Sequence, residues 1–121
     1  MKTRIAINGF GRIGRNLFRL LLNHPTIEVV AINDIADNKT MAHLVKYDSI
    51  HGVLNHKVSF SDDSIIIDDK SFLFFHEREI KNLDWKSVNV DIVIESTGKF
   101  KTFEEINQHI LDGEKKVILS A

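Results

Sequence analysis

Along the first 33 residues, the spacing of apolar residues is typical first of a strand, then of a helix and then of a second strand. Ile5 and Ile7 alternate with small or polar residues, which predicts a short buried strand. Apolar residues then recur at helical spacing, which predicts one face of an amphipathic helix packed against a sheet, and Pro25 ends that helix. This face consists of Ile13, Leu17, Leu20 and Leu21. The apolar run Ile27–Asn33 predicts a second buried strand.

The middle of the chain predicts a second helix followed by a small antiparallel insertion. Asp37 or Asn38 can cap a helix that carries Met41, Leu44 and Val45 on one side. Three short β-like runs follow, and Asp-Asp pairs stand in the turns between them. These runs are Lys57–Phe60, Ile65–Ile67 and Phe72–Phe75.

The last third returns to the strand–helix–strand order. A strand is predicted at Asp91–Glu95, a helix is predicted to begin at the capping residue Thr102, and a final strand covers Lys116–Ser120. The whole order predicts an α/β fold of the Rossmann type. It is a doubly wound, mainly parallel sheet with a small antiparallel insertion, and residues 1–121 form one domain.

A glycine motif joins the first strand to the first helix. Gly9, Gly11 and Gly14 have G-x-G-x-x-G spacing. The first allows a tight turn, the second lets the backbone approach a pyrophosphate, and the third lets the helix pack closely on the sheet. The N–H groups of Arg12 and Ile13 would face the phosphates at the positive end of the helix. These features predict a dinucleotide site.

An acidic residue supplies a second, independent signal. Asp34 directly follows the second strand, twenty residues beyond Gly14, where a dinucleotide fold places the carboxylate that binds the adenosine ribose. The 2′-phosphate of NADP would be repelled by that carboxylate, so the sequence favours NAD. The alternative is an ordinary solvated aspartate at a strand end.

Chain topology predicts which loops meet. Right-handed crossovers place the strand that begins after Asp91 beside the first strand, on the flank opposite the second. The ends of these strands form a topological switch point, where open α/β sheets bind ligands. We therefore expect Gly9–Gly14 and Ser96–Gly98 to face one crevice. A plain strand-to-loop turn at Ser96–Gly98 is the alternative.

Composition excludes several classes of function. The 121 residues carry a net charge of −1 and contain no cysteine. A nucleic-acid partner is disfavoured, and thiolate metal sites and cysteine nucleophiles are excluded within this chain. We assign no metal, because turn chemistry explains the paired aspartates and no histidine pair has ligand spacing on a helix. No segment approaches membrane-spanning length, so we expect a cytoplasmic protein.

Five motifs occur in an order and at a spacing typical of one enzyme family. They are I-N-G-F-G-R-I-G-R, A-I-N-D, K-Y-D-S-I-H-G, E-S-T-G-K-F and K-K-V-I-L-S-A. Over its whole length the chain resembles the NAD-binding amino-terminal region of glyceraldehyde-3-phosphate dehydrogenase.

The resemblance implies a set of cofactor contacts. The peptide groups of Arg12 and Ile13 would hold the pyrophosphate, and Asp34 would hold the ribose. Arg78 would contact the adenine side through its backbone, and Ser120 would lie near the nicotinamide. The adenine and ribose pocket would be lined by Ser96, Thr97 and Phe100. For the phenyl ring, core packing is the alternative to stacking on adenine.

The resemblance also implies an activity. The family oxidises and phosphorylates glyceraldehyde 3-phosphate to 1,3-bisphosphoglycerate with NAD in glycolysis, and its full-length members are homotetramers. A thiolate adds to the aldehyde, the adduct gives a hydride to NAD, phosphate releases the acyl group, and a histidine acts as base. Both side chains belong to the catalytic domain, which this chain does not include, so we assign no catalytic residue. We expect the chain alone to bind NAD without catalysing.

Three alternatives stay open. The motifs H-E-R-E-I and M-A-H-L-V-K-Y-D also resemble erythrose-4-phosphate dehydrogenase, a related enzyme. A non-catalytic module that binds NAD or ADP-ribose would need only the residues present. Another Rossmann oxidoreductase is the generic alternative, although dinucleotide binding alone does not require K-Y-D-S-I-H-G.

Overall fold

The computed structural model describes residues 2–48, 52–53, 56–79, 82–83, 85–97 and 116–119. The helices are α1 (Arg12–Leu21) and α2 (Asn38–Lys46), and a 3₁₀ turn covers Lys86–Val88. The strands are β1 (Thr3–Asn8), β2 (Ile27–Asn33), β3 (Tyr47–Asp48), β4 (Gly52–Val53), β5 (Val58–Phe60), β6 (Ser64–Ile67), β7 (Lys70–Phe75), β8 (Ile92–Glu95) and β9 (Lys116–Leu119). No helix within the described ranges is long and apolar enough to cross a membrane.

Seven of these strands form one mixed sheet in the order β5-β6-β7-β2-β1-β8-β9. The run from β7 to β9 is parallel, and β5 and β6 pair antiparallel at one edge. The strands β3 and β4 form a separate antiparallel pair. The predicted doubly wound α/β fold is therefore confirmed, and the predicted insertion extends the main sheet through the parallel pairing of β7 with β2.

Side chains on β1 alternate between two apolar layers, because successive strand residues point to opposite faces. Ile5 and Ile7 join the larger core, which α1 and α2 cover. Ala6 faces a smaller core built around Trp85, which is fully buried and contacts Phe75 edge to face with ring centroids 5.6 Å apart. Both faces of the central strand are thus covered, as expected for a parallel sheet.

The predicted buried face of α1 is partly wrong. Leu17 and Leu21 pack against the core, but Ile13 is 52% exposed and Leu20 is 71% exposed. The residues of α1 that are fully buried are Gly14 and Phe18. At about 100° per residue, Ile13 and Leu20 lie roughly a quarter turn from the centre of the buried face. The prediction assigned Ile13 and Leu20 to this face and left out Phe18, and glycine gives no hydrophobic signal that marks Gly14.

The start of α2 resolves the choice between two capping residues. Asp37 is the N-cap, and its Oδ1 accepts a hydrogen bond of 2.7 Å from the Thr40 N–H. This hydrogen bonding to Thr40 lowers the pKa of Asp37. The Asn38 amide instead donates to the carbonyls of Ser61 and Asp62 and so ties α2 to the turn between β5 and β6. The predicted apolar side of this helix is confirmed, because Met41 and Val45 are buried and Leu44 packs against the core.

Candidate functional site

A crevice of about 290 Å³ opens at the carboxyl ends of the central parallel strands. The strands β1, β2 and β8 all end there, and β1 lies between the other two. This is the switch point of the doubly wound sheet, where such folds bind ligands. The lining residues are Asn8, Gly9, Gly11, Asn33, Asp34, Ile35, Glu77, Arg78, Ser96 and Thr97. Of the two segments expected to share a crevice, Gly9 and Gly11 line it on the one hand and Ser96 and Thr97 on the other, while Gly98 falls outside the described residues.

The turn out of β1 needs a glycine for two reasons. Gly9 has a φ of +99°, in the left-handed region that side chains disfavour. A Cβ there would also lie only 2.7 Å from the Thr97 backbone nitrogen. The Ser96 hydroxyl donates a hydrogen bond of 2.7 Å to the Gly9 carbonyl and fixes the turn. The chain after β8 thus forms one wall of the crevice and holds the glycine loop in place.

The other two glycines occupy opposite environments. A Cβ on Gly14 would lie 2.3 Å from the Gly9 carbonyl oxygen and 3.1 Å from the Ile7 Cγ2 atom. This position brings α1 against both the loop and β1. Gly11 lines the crevice and has no atom within 4 Å of an added Cβ. The third glycine therefore serves close packing, whereas the second leaves open space on the crevice side.

The amino terminus of α1 lies at the glycine loop. The helix begins at Arg12, and Gly11 at the N-cap supplies no side-chain hydrogen bond to the first turn. The first N–H groups of a helix have no partner within it and carry partial positive charge. Arg12 and Ile13 are both exposed at this end. The arrangement suits an anion, and a pyrophosphate in particular.

Asp34 connects the end of β2 to the glycine loop. Its Oδ2 accepts a hydrogen bond of 2.7 Å from the Phe10 N–H, and its Oδ1 accepts one of 3.1 Å from the Ala36 N–H. The backbone of Asp34 is held by the Phe75 carbonyl and by the ring of His76. A carboxylate has about four acceptor positions, so these two bonds leave capacity for a ligand hydroxyl. The aspartate is therefore more than a solvated residue at a strand end.

Sequence reasoning missed a chain of buried polar side chains under the crevice. Asn8, Asn33 and Glu95 are the last residues of β1, β2 and β8, and each is less than 5% exposed. The Asn8 amide nitrogen donates to Glu95, and the Asn33 amide nitrogen donates to Asn8. A signal was present in the sequence, because each of three buried parallel strands ends in a polar residue. Polar side chains at strand carboxyl ends are typical of ligand sites.

The structure brings together most of the residues predicted to bind the cofactor. Those that line the crevice are Gly9, Gly11, Asp34, Arg78, Ser96 and Thr97. Gly14 lies behind the loop, and Arg12 and Ile13 lie at the start of α1 without lining the crevice. Phe100, Ser120 and the helix predicted from Thr102 fall outside the described residues. Within the described part of the chain, no group of three or more His, Asp or Glu side chains is arranged to hold a metal ion.

Comparison with protein families identifies the fold. The model of the glyceraldehyde 3-phosphate dehydrogenase NAD-binding domain matches residues 3–103. The chain belongs to the glyceraldehyde-3-phosphate dehydrogenase family. NAD is the cofactor of this domain, and the family is one of NAD-dependent oxidoreductases.

Curated glyceraldehyde-3-phosphate dehydrogenases match the chain over almost its whole length. The enzyme of Geobacillus stearothermophilus is 50% identical over 121 residues, which are 100% of this chain and 36% of that protein. The enzyme of Mycoplasma pneumoniae is 51% identical over 118 residues, 98% of this chain and 35% of that protein. The enzyme of Thermotoga maritima is 50% identical over 120 residues, 98% of this chain and 36% of that protein. The chain thus spans about a third of the length of these relatives.

Proposed function

We propose that residues 1–121 form the NAD-binding domain of a phosphorylating, NAD-dependent glyceraldehyde-3-phosphate dehydrogenase. The observation that carries this proposal is the crevice at the ends of β1, β2 and β8. The glycine loop and the carboxylate at the end of β2 line it, and the amino terminus of α1 adjoins it at the N-cap Gly11. Each of these groups matches one part of a dinucleotide.

The pyrophosphate is bound at the start of α1. Gly11 offers a backbone with open space in front of it, so a phosphate oxygen can approach without meeting a Cβ. The N–H groups of Arg12 and Ile13 supply hydrogen bonds from the positive end of the helix. The side chain of Arg12 is exposed, and its guanidinium adds a positive charge at the start of α1.

The adenosine half lies toward Asp34. The carboxylate accepts the ribose hydroxyl hydrogens on the positions that Phe10 and Ala36 leave open. Arg78 lies in the wall next to Asp34 and contacts the base through its backbone, while Ser96 and Thr97 form the opposite wall. Phe100 and Ser120 fall outside the described residues, and we assign them to the adenine border and the nicotinamide end by resemblance to the family alone.

The chemistry requires residues that this chain does not contain. NAD supplies the hydride acceptor when it is bound. The family's route also needs a thiolate that adds to the aldehyde, and the 121 residues contain no cysteine. We therefore infer that the nucleophile and the histidine base belong to a catalytic domain elsewhere in the functional enzyme. That enzyme acts on glyceraldehyde 3-phosphate as a homotetramer in the cytoplasm.

Titration calorimetry with NAD and NADP tests the cofactor site. We expect the chain to bind NAD more tightly, because the 2′-phosphate of NADP would face the Asp34 carboxylate. Asp34→Asn keeps an acceptor for the Phe10 N–H and removes the charge. It should weaken NAD binding by about 1.5–3 kcal/mol, the range for hydrogen bonds to charged groups, and should lose the preference over NADP.

A matched control is available three residues away. Asp37 caps α2 and does not line the crevice, so Asp37→Asn removes the same charge and should leave the preference for NAD unchanged. Equal affinity of the unmutated chain for NAD and NADP would contradict the assignment of Asp34.

A further inference from the structure

A fully buried carboxylate lies at the start of the polar chain under the crevice. Glu95 is 0% exposed and does not line the crevice itself. Both of its carboxylate oxygens accept hydrogen bonds from the Asn8 amide nitrogen, at 2.9 and 3.2 Å. Burying a carboxylate is costly unless it is hydrogen-bonded, and an apolar residue would pack here at lower cost. This cost indicates a task beyond packing.

The carboxylate fixes the direction of each amide after it. Because the Asn8 Nδ2 atom faces Glu95, its Oδ1 atom faces the next strand, where it accepts a bond of 2.7 Å from the Asn33 Nδ2 atom. The Asn33 Oδ1 atom must then face away from Asn8. An amide has a donor end and an acceptor end, so the orientation at one end of such a chain sets every later orientation.

The chain ends on the backbone of the crevice wall. The Asn33 side chain accepts a hydrogen bond of 2.8 Å from the Glu77 N–H and donates one of 2.9 Å to the Glu77 carbonyl. Glu77 and the following residue, Arg78, both line the crevice beside Asp34. Asn33 therefore holds this segment through the backbone of Glu77, whose side chain is exposed.

We propose that Glu95 is a positioning residue for the adenosine side of the site, acting through Asn8 and Asn33 on the backbone at Glu77 and Arg78. The proposal rests on the proposed function, because it assigns the segment after β7 to the adenosine half of a dinucleotide. Glu95 lies on β8 and acts on a wall that follows β7, with two strands between them in the sheet. A ligand at that wall gains affinity because the wall is held in its binding position beforehand.

Amide hydrogen exchange measures this positioning directly. Glu95→Met keeps the side-chain size and removes the acceptor, so Asn8 and Asn33 can turn and release the Glu77 N–H. We expect exchange at Glu77 to become about tenfold faster, the equivalent of ~1.4 kcal/mol. The Asp91 N–H donates to the Arg4 carbonyl at the amino ends of β1 and β8, far from Glu77 along these strands, and serves as the reference amide. Its exchange should not change, whereas a merely structural role for Glu95 would speed exchange at both sites.

Glu95→Gln is the matched control. Glutamine keeps an oxygen that can accept from Asn8, so exchange at Glu77 should stay within about twofold of the unmutated chain, and so should affinity for AMP. AMP is the binding probe because it carries only the adenosine half and one phosphate. Glu95→Met should weaken AMP binding about tenfold.

A double-mutant cycle tests the transmission through Asn33. Asn33→Leu removes the last link, and alone it should release Glu77 and weaken AMP binding. If Glu95 acts through Asn33, then the double variant Glu95→Met/Asn33→Leu should bind AMP as tightly as the single variant that binds AMP less tightly. Losses that multiply would overturn the proposal, because they would mean that the two residues act independently.

Two further results separate this proposal from the proposed function. Unchanged exchange at Glu77 in Glu95→Met, or equal acceleration at Glu77 and Asp91, would overturn the positioning role even if NAD binds well. Failure of the unmutated chain to bind NAD and AMP would overturn the proposed function and with it the assignment of this wall to adenosine. The exchange comparison needs no ligand, so the two failures are distinguishable.

Discussion

Alanine at Gly11, the N-cap of α1, and alanine at Gly14, three residues later, should impair different properties of the chain. Gly14 packs against the glycine loop, whereas Gly11 faces open space in the crevice. We expect Gly14→Ala to lower stability first and Gly11→Ala to lower NAD affinity first. The same methyl group is added in both variants, so the difference isolates the surroundings of each residue.

The expected loss at Gly14 follows from the distances around it. The new Cβ would lie 2.3 Å from the Gly9 carbonyl oxygen, a backbone atom that cannot rotate away. This is roughly 1 Å inside normal contact, so α1 must move outward from β1. Overpacking of this kind costs typically about 1–3 kcal/mol, and a chain of this size loses roughly 3–6 °C in Tm for each kcal/mol.

The expected result at Gly11 is different because its backbone already suits alanine. Its φ is −79°, and no atom lies within 4 Å of the added Cβ. Replacing such a glycine raises stability by about 0.4–1 kcal/mol, because the unfolded chain loses freedom. The methyl group nevertheless enters the space assigned to the pyrophosphate. NAD affinity should therefore fall by about tenfold or more, a loss of ~1.4 kcal/mol or more.

Thermal unfolding and NAD titration of both variants check this prediction. The unmutated chain is the reference for both measurements. If Gly11→Ala bound NAD as well as the unmutated chain, the pyrophosphate would not pass over Gly11. If the two variants lost the same stability, the packing role assigned to Gly14 would be wrong.

Three further predictions concern the core, the response to acid and catalysis. Phe18→Ala should destabilise the chain by about 3–5 kcal/mol by denaturant unfolding, because its ring makes edge-to-face contacts with Phe10 and Phe72 at 5.5 and 4.8 Å. The hydrogen bond from His56 lowers the pKa of Asp68, so this carboxylate stabilises the fold at neutral pH and loses that effect as the pH falls through its lowered folded value. Asp68→Asn should therefore flatten the acid limb of a stability–pH profile. Finally, the chain alone should form no NADH from glyceraldehyde 3-phosphate, NAD and phosphate, and turnover above a control without protein would reveal an unrecognised nucleophile.

Much of the fold was predictable because the buried strands carry strong local signals. The runs at Ile27–Asn33 and Asp91–Glu95 are apolar on both faces, as strands covered on two sides must be. The order of strands and helices then selected the doubly wound sheet through the rule of right-handed crossovers. Asp37 as the cap of α2 was one of two candidates, and only the backbone path showed that Asn38 points toward the turn after β5.

The glycine loop and Asp34 were predictable for a related reason. Local backbone geometry and a fixed spacing along the chain determine their positions, so the sequence displays them directly. The buried face of α1 was not predictable in full. Its closest approach to the sheet occurs at Gly14, a residue without a side chain, and hydrophobic periodicity cannot register such a position.

Sequence alone determined the fold class, the cofactor motif and the absence of a thiol nucleophile, because these depend on the order of local elements, on residue types at short spacings and on composition. Tertiary structure decided how the ends of distant strands cooperate. Glu95 reaches Asn8 across 87 residues of sequence, and Asn33 reaches Glu77 across 44. No local pattern encodes the orientation of these amides. The orientation of the amides arises because parallel strands end at the same edge and bury their last polar side chains, which then hydrogen-bond to one another.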